Sequence, residues 1–185
     1  VTSIPTVLYI IYTLVFDSKN LYRMKRIKVV LDPFKYENDD GYQLTNALVS
    51  ISNGGIFGRG LGNGILKLGY LPEPHTDFIF TVISEELGLI GVIFILIMYG
   101  FIIFKGFTYA NKTNNHFYKL ICVGVVSYLF MQVFINLGGV SGLIPLTGVT
   151  LPLLSYGGSS ILSISIALGI MLAVIREIKK EERYK

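Results

Sequence analysis

From Leu120 to Ile175 the chain carries no charged residue. A stretch that apolar and that long cannot present a water-facing side, so it dictates lipid as the solvent. It is also too long for one span. Gly138, Gly139, Gly142, Pro145 and Gly148 interrupt it with helix-ending residues, which predicts two spans joined by a tight hairpin. A second uncharged run, Leu87 to Phe104, predicts another span, and the opening Val1 to Phe16 is uncharged but short. Composition agrees, with 15% charged residues against about 25% in soluble domains.

The pattern predicts an all-α polytopic membrane protein with four spans, at about 1–16, 79–104, 119–137 and 150–175. A large loop, 17–78, separates the first two. Shorter connections follow at 105–118 and 138–149, and the chain closes with a tail at 176–185. Val1 stands where an initiator Met would, so the first span is expected to be incomplete and the chain to begin within a larger protein. No basic leader or small-residue cleavage site marks a signal peptide. The single Cys122 excludes a disulfide framework and reads as a small buried hydrophobe.

Lys and Arg in short connections set orientation. Lys105, Lys112 and Lys119 flank one turn, and Arg176, Lys179, Lys180, Arg183 and Lys185 crowd the tail. Both segments are expected on the cytoplasmic side, with 17–78 and 138–149 facing outward. Within the large loop, Leu21, Met24, Ile27 and Leu31 recur at helical spacing among Arg23, Lys25, Arg26 and Lys28. That is a basic amphipathic helix suited to the headgroup plane, as an anchor or as a contact for anionic lipid. A second short helix is expected around Tyr42–Ser52.

The chemistry concentrates between residues 54 and 86. Gly54, Gly55, Gly58, Gly60, Gly62 and Gly64 lie in an eleven-residue window, too many for a stable helix or strand. They suit either a packed turn or a cradle of N–H donors for an anion. Neither a dinucleotide fingerprint nor a Walker loop is present: the spacing differs, and Leu68 follows Lys67. Glu73, His75 and Asp77 then place three titratable groups within five residues, just before the chain turns apolar. A carboxylate at a membrane boundary is costly unless it faces a cavity or a partner, and there it can have its pKa raised and act as a base. The competing reading makes Thr76 or Asp77 the N-cap of the next helix. Glu85 and Glu86 read as structural partners of Lys67, Arg59 or backbone groups. His75 has no second histidine nearby for a metal. Pro152, Gly157 and Gly158 suggest irregular helix lining a wet cavity, while Ser159 and Ser160 suit close helix packing.

The run from Gly60-Leu-Gly-Asn through Lys67, the Tyr70-Leu-Pro-Glu-x-His-Thr-Asp-Phe-Ile-Phe stretch, Glu85-Glu86-Leu-Gly and Leu151-Pro-Leu-Leu-Ser-Tyr-Gly-Gly-Ser-Ser together closely resemble the SEDS family of bacterial cell-wall proteins, its FtsW branch more than RodA or SpoVE. The likeness runs from Arg26 through Ile175. It implies the last four helices of a ten-helix fold and a peptidoglycan glycosyltransferase that polymerises lipid II during cell division. It also implies a class B penicillin-binding protein and other divisome membrane proteins as partners, with membrane lipids around it and no nucleic acid. The expected location is the plasma membrane at the division septum. The family's essential aspartate falls on Asp77. Residues Lys67, Arg59, Glu73, His75, Glu86, Ser155 and Tyr156 are the expected substrate contacts, with Lys67, Arg59 and the glycine-loop amides meeting the pyrophosphate. A divalent cation, Mg or Mn, could share that task through Asp77, Glu73 and Glu86. The rival readings are a lipid II flippase and a non-catalytic scaffold that recruits a synthase.

Overall fold

A computed structural model describes residues 18–39, 41–65 and 75–183. The expected first span, 1–16, lies outside them. The described part is all helical: α1 (Ser18–Leu31), α2 (Tyr42–Gly54), α3 (Ile79–Lys112), α4 (His116–Val140) and α5 (Gly158–Arg183), with one 3₁₀ turn at Phe34–Tyr36. Three of these, α3, α4 and α5, are long and apolar enough to cross a membrane.

The spanning helices run longer than hydropathy alone suggested. Helix α3 continues to Lys112 and α4 starts at His116, so the lysine-bearing connection 105–118 shrinks to little more than Thr113–Asn115. Lysines on the last turn of an apolar helix reach water while their stems stay in contact with the helix. Asn115 makes the turn short, because its side chain caps α4 by accepting from the Phe117 N–H at 2.9 Å. Helix α5 likewise runs through the supposed tail to Arg183, and starts only at Gly158 instead of 150. Residues 150–157 are a non-helical segment, with Leu153 in the left-handed region at φ 65°. The Tyr99 hydroxyl donates to the Pro152 carbonyl and supports this segment from within the bundle.

Two apolar clusters hold the three spans together. At one end Ala110, Cys122, Val126, Met171 and Ile178 are buried, and Gly106 lets α3 approach α4 closely: a methyl there would stand 2.1 Å from Val126 Cγ2. Lys112 pairs with Glu182 at 3.2 Å at this lysine end, which brings the two basic segments together. At the opposite, hairpin end, Phe78, Phe80, Leu129, Val133, Val140, Leu151 and Ile164 form the second cluster, and α2 adds Ala47. Helix α1 touches the rest through Val29 and through Arg26, whose guanidinium donates to the Leu146 carbonyl. Its stripe of Met24, Ile27 and Leu31 stays exposed, as an interfacial helix requires.

Helix α3 is interrupted. Gly88 sits at φ 65°, ψ −164°, so the rod is two segments, 79–87 and 89–112. The second is about 36 Å long at the helical rise and is enough to cross the roughly 30 Å apolar core by itself. It pairs with α4, which has nearly the same length. A straight helix would carry Asp77 about 16 Å beyond Gly88. Asp77 instead meets Asn136, one turn inside the end of α4. The break therefore redirects the chain, and 79–87 lies beside the hairpin end of α4 without projecting past it.

Candidate functional site

The glycine loop 54–65 makes the break possible. The carbonyls of Gly55 and Ile56 accept from Leu89 and Ile90, the first N–H groups of the lower segment, at 3.0 and 3.3 Å. The N–H groups of Arg59 and Gly60 donate to the carbonyls of Glu85 and Glu86, in the last turn of the 79–87 segment, both at 2.9 Å. The loop thus supplies the partners that each segment lost at the interruption. Its fit needs bare backbone. A methyl on Gly88 would lie 2.3 Å from the Gly58 nitrogen, and one on Gly58 would lie 2.2 Å from the Glu86 carbonyl oxygen.

The same loop holds two anions, both the protein's own. Glu85 is fully buried; its carboxylate accepts from the Ile65 N–H at 3.2 Å and from Ser50 Oγ at 3.4 Å, and the Arg59 guanidinium stands 3.8 Å away. Glu86 accepts from the Gly62 N–H at 3.0 Å. The Gly62 and Ile65 amides are therefore engaged with Glu86 and Glu85, and Arg59 balances a buried carboxylate. The packed-turn reading of the glycines is the one that the geometry follows, because a charge buried this deeply needs several donors at once. Lys67 and Glu73 fall outside the described residues.

Asp77 sits elsewhere, at the hairpin end. It is not the helix cap: that position falls on Phe78, which makes no side-chain capping bond, and the Phe78 carbonyl takes the Thr81 hydroxyl at 2.7 Å. Asp77 is half-buried against the hairpin, where a methyl on Gly148 would stand 3.3 Å from its Oδ2. Gly148 has φ 72°, so glycine is needed there twice, for conformation and for room. Asn136 fixes the arrangement. Its Nδ2 donates to the Asp77 carbonyl at 2.9 Å and to the Val149 carbonyl at 2.7 Å, stitching α4, the hairpin and the start of α3 together. His75 is joined to the same region through its carbonyl, which accepts from the Tyr156 N–H at 2.8 Å.

Two clefts flank the 148–157 segment. One, of about 560 Å³, is mostly apolar and is lined by His75, Ile79, Leu153, Leu154, Tyr156 and Ile161. Ser155 also borders it, but its hydroxyl accepts from the Leu151 N–H at 2.7 Å and closes the turn. Tyr156 is 77% exposed. The other cleft, of about 370 Å³, is shallow and open; it includes Gly148, and the hydroxyls of Thr150, Ser159, Ser160 and Ser163 and the Gln132 carboxamide are among its lining groups. Of the expected contacts, the structure thus brings Asp77, His75, Ser155 and Tyr156 to one end, while Arg59 and Glu86 belong to the glycine loop. Among the described residues no three His, Cys, Asp or Glu side chains stand close enough to hold a metal.

Asn136 and Gln132 were missed by a reading that looked for charges. A pair of carboxamides four residues apart inside an uncharged span is itself a signal, since polar groups at membrane depth face a partner or a cavity.

The family model FTSW_RODA_SPOVE, described as "Cell cycle protein", matches residues 1–180. The chain belongs to the FtsW/RodA/SpoVE family. Among its curated relatives in this family, the "Probable peptidoglycan glycosyltransferase FtsW" of Bacillus subtilis (strain 168) is 51% identical over 163 residues, covering 88% of this chain and 40% of that protein. "Stage V sporulation protein E" of the same organism is 44% identical over 155 residues, covering 84% and 42%. The chain thus spans about 40% of the length of these FtsW/RodA/SpoVE relatives. Among solved structures, it superposes on a chain of a peptidoglycan synthase complex, described by its structural coordination of polymerization and crosslinking, with TM-score 0.70 and 32% identity over 94% of this chain and 47% of that one. It also superposes on an aspartate-to-alanine mutant of the Thermus thermophilus rod shape determining protein RodA, with TM-score 0.55 and 37% identity over 71% and 39%.

Proposed function

We propose that this chain carries the catalytic end of a peptidoglycan glycosyltransferase that polymerises lipid II, with Asp77 as the general base. The observation that carries the reading is the position of Asp77. Its carboxylate lies beside Gly148 at the hairpin end of the bundle; its neighbours His75 and Ile79 line the apolar cleft, and Gly148 lines the one that carries the hydroxyls of Thr150, Ser159, Ser160 and Ser163. A lipid-linked sugar needs that combination: apolar wall for a polyprenyl chain, polar wall for a saccharide, and a base where the two meet. The relatives' names point to the same chemistry.

In this reading Asp77 takes the proton of the acceptor sugar's 4-hydroxyl while that oxygen attacks the anomeric carbon of the donor. The bond from that carbon to the diphosphate oxygen breaks, and its electron pair leaves with the undecaprenyl diphosphate. The anomeric centre inverts, and no covalent enzyme intermediate forms. The Asn136 clamp holds Asp77 in register with the substrate, which is where positioning contributes to rate. Arg59 and the glycine loop contribute by holding α3, not by meeting the pyrophosphate. Glu73 lies outside the described residues, and no step is routed through a cation.

The hairpin end faces outward in this proposal, because the lysine end carries the basic residues that favour the cytoplasm. A crosslinking partner of the penicillin-binding type and a place at the division septum belong to the same proposal; the likeness to a polymerization and crosslinking complex and to proteins named FtsW supports them. Polymerisation of purified lipid II by full-length protein tests the core of it. Asp77→Asn should lower the rate at least about a hundredfold with normal membrane yield. Unchanged polymer formation would remove Asp77 from the chemistry.

A further inference from the structure

Helix α1 carries Lys19, Arg23, Lys25, Arg26 and Lys28 and no acid. The acids Asp32, Glu37 and Asp39 follow it, on the next turn of chain. At about 100° per residue, the second half of α1 sorts into three faces. Arg26, Val29 and Val30 turn toward the protein: Val29 is buried, the other two are half-buried, and the Arg26 guanidinium donates to the Leu146 carbonyl. Met24, Ile27 and Leu31 share an arc of about 60°, centred about 140° away from that face, and each is more than half exposed. Lys25 and Lys28 lie on the flank between the two and are exposed.

That order suits a bilayer surface. A helix fastened by one face can lower an apolar stripe into the acyl boundary while lysine stems run alongside it to the phosphates. The bond to Leu146 places α1 at the hairpin end of the bundle, the end proposed to face outward. Basic residues there gain nothing from the preference of Lys and Arg for the cytoplasm, so their charge calls for another partner. Two clefts, of about 350 and 450 Å³, both have Lys25, Val29 and Asp39 in their walls. Asp39 puts a carboxylate where a pocketed phosphate would sit, which argues for contact with a charged surface over capture of one ion. Three apolar side chains are few for a protein interface of about 800 Å² per partner, but they are enough for insertion to a depth of about 5–10 Å.

We infer that α1 docks on anionic phospholipid of the outer leaflet, with Met24, Ile27 and Leu31 in the acyl boundary and Lys25 and Lys28 against singly charged phosphodiester headgroups. Plain apolar anchoring and charge-dependent docking differ in one respect: only the second senses lipid composition. The inference does not depend on the chemistry at Asp77, and its test reads depth instead of turnover.

Full-length protein carrying a fluorescent coumarin amino acid at Leu31 is placed in nanodiscs of phosphatidylcholine, with or without phosphatidylglycerol. Nitroxide-labelled lipids, spin-labelled on the headgroup or on the acyl chain, quench it according to depth. Chain-borne nitroxide should quench more strongly when phosphatidylglycerol is present, and high salt should return the signal to the neutral-lipid level. Lys28→Gln should lower the ratio of inserted to free helix about fivefold in phosphatidylglycerol, and Lys25→Gln with Lys28→Gln further, with no change in phosphatidylcholine. Both lysines are exposed, and the salt series on the parent protein needs no variant at all. Equal quenching in the two lipids makes α1 a plain anchor and overturns the proposal. Absence of chain quenching in both means that protein or water covers the stripe, with the same consequence. A gain produced by added lipid II in neutral bilayers, where phosphatidylglycerol produces none, gives the lysines to the substrate's diphosphate and also overturns it. A salt-sensitive gain that survives the double variant removes the assignment to Lys25 and Lys28.

Discussion

Asn136 holds the Asp77 carbonyl at 2.9 Å with one N–H and the Val149 carbonyl at 2.7 Å with the other. The pair lies 59 residues apart in sequence, and it is the bond that brings the candidate base to the hairpin. Asn136→Asp is the sharpest test, because the shape is kept while both donors are replaced by an acceptor that faces two carbonyl oxygens. The expected result is a fall in kcat on the order of a hundredfold, the effect of an ångström of misplacement, with a smaller change in KM. Steady-state lipid II polymerisation checks it.

Glu85 should matter for stability more than for chemistry. Glu85→Ala would leave the Ile65 N–H, the Ser50 hydroxyl and the Arg59 guanidinium without this partner. The Ser50 hydroxyl keeps the Thr81 carbonyl at 3.1 Å and Arg59 is partly exposed, so the loss rests on the Ile65 N–H and the vacated buried space, about 1–3 kcal/mol, and the variant should melt below the parent in detergent. Lipid II turnover by whatever fraction stays folded should be near normal. Thermal unfolding followed by tryptophan-free methods, such as fluorescent-dye labelling of Cys122 as it becomes exposed, reads the first part. Cys122 is fully buried in the folded state, which makes it a suitable reporter.

Two glycines of α3 should respond in opposite ways to the same methyl group. Gly88→Ala places a side chain at φ 65° and against the Gly58 nitrogen, so strain of about 1–3 kcal/mol adds to a displaced loop. Gly100 has nothing within 4 Å of the added methyl. Gly100→Ala should be neutral or stabilising, by up to about 1 kcal/mol for a helix interior. Melting temperatures of the two variants measured side by side give the comparison.

Sidedness is open to direct labelling. Leu143, in the hairpin, is 78% exposed, and Asn114 lies in the turn between α3 and α4. In intact cells a membrane-impermeant maleimide should react with Leu143→Cys and not with Asn114→Cys. The reverse pattern would invert the proposed orientation.

Much of this architecture was legible in the residues. Uncharged runs announced three membrane-capable helices, and the presence of α1 and α2 as helices followed from helical spacing. Helix ends were less legible, since lysines at 105 and 112 and glutamates at 181 and 182 were read as loop and tail. A long helix carries such residues on its final turns without ending. The break at Gly88 was hidden for a different reason. One glycine in an apolar helix is ordinary, and its meaning depends on loop 54–65 arriving from far away in sequence to meet it. The site divided similarly. Asp77 stood out by its type and neighbours, whereas Asn136 and Gly148 are notable only through their placement beside Asp77. Arg59 and Glu86 were attractive as charges, yet each is committed to the protein's own loop.

The interruption of α3 also separates two mechanical duties that an unbroken helix would have to share. The 89–112 segment can tilt to match bilayers of different thickness, as spanning helices do. Asp77 is fastened to α4 and the hairpin instead of riding on that rod, so a change in tilt need not carry the carboxylate with it. A side chain mounted this way keeps its depth at the membrane surface while the scaffold below adjusts to the membrane, which is what the proposed base would need.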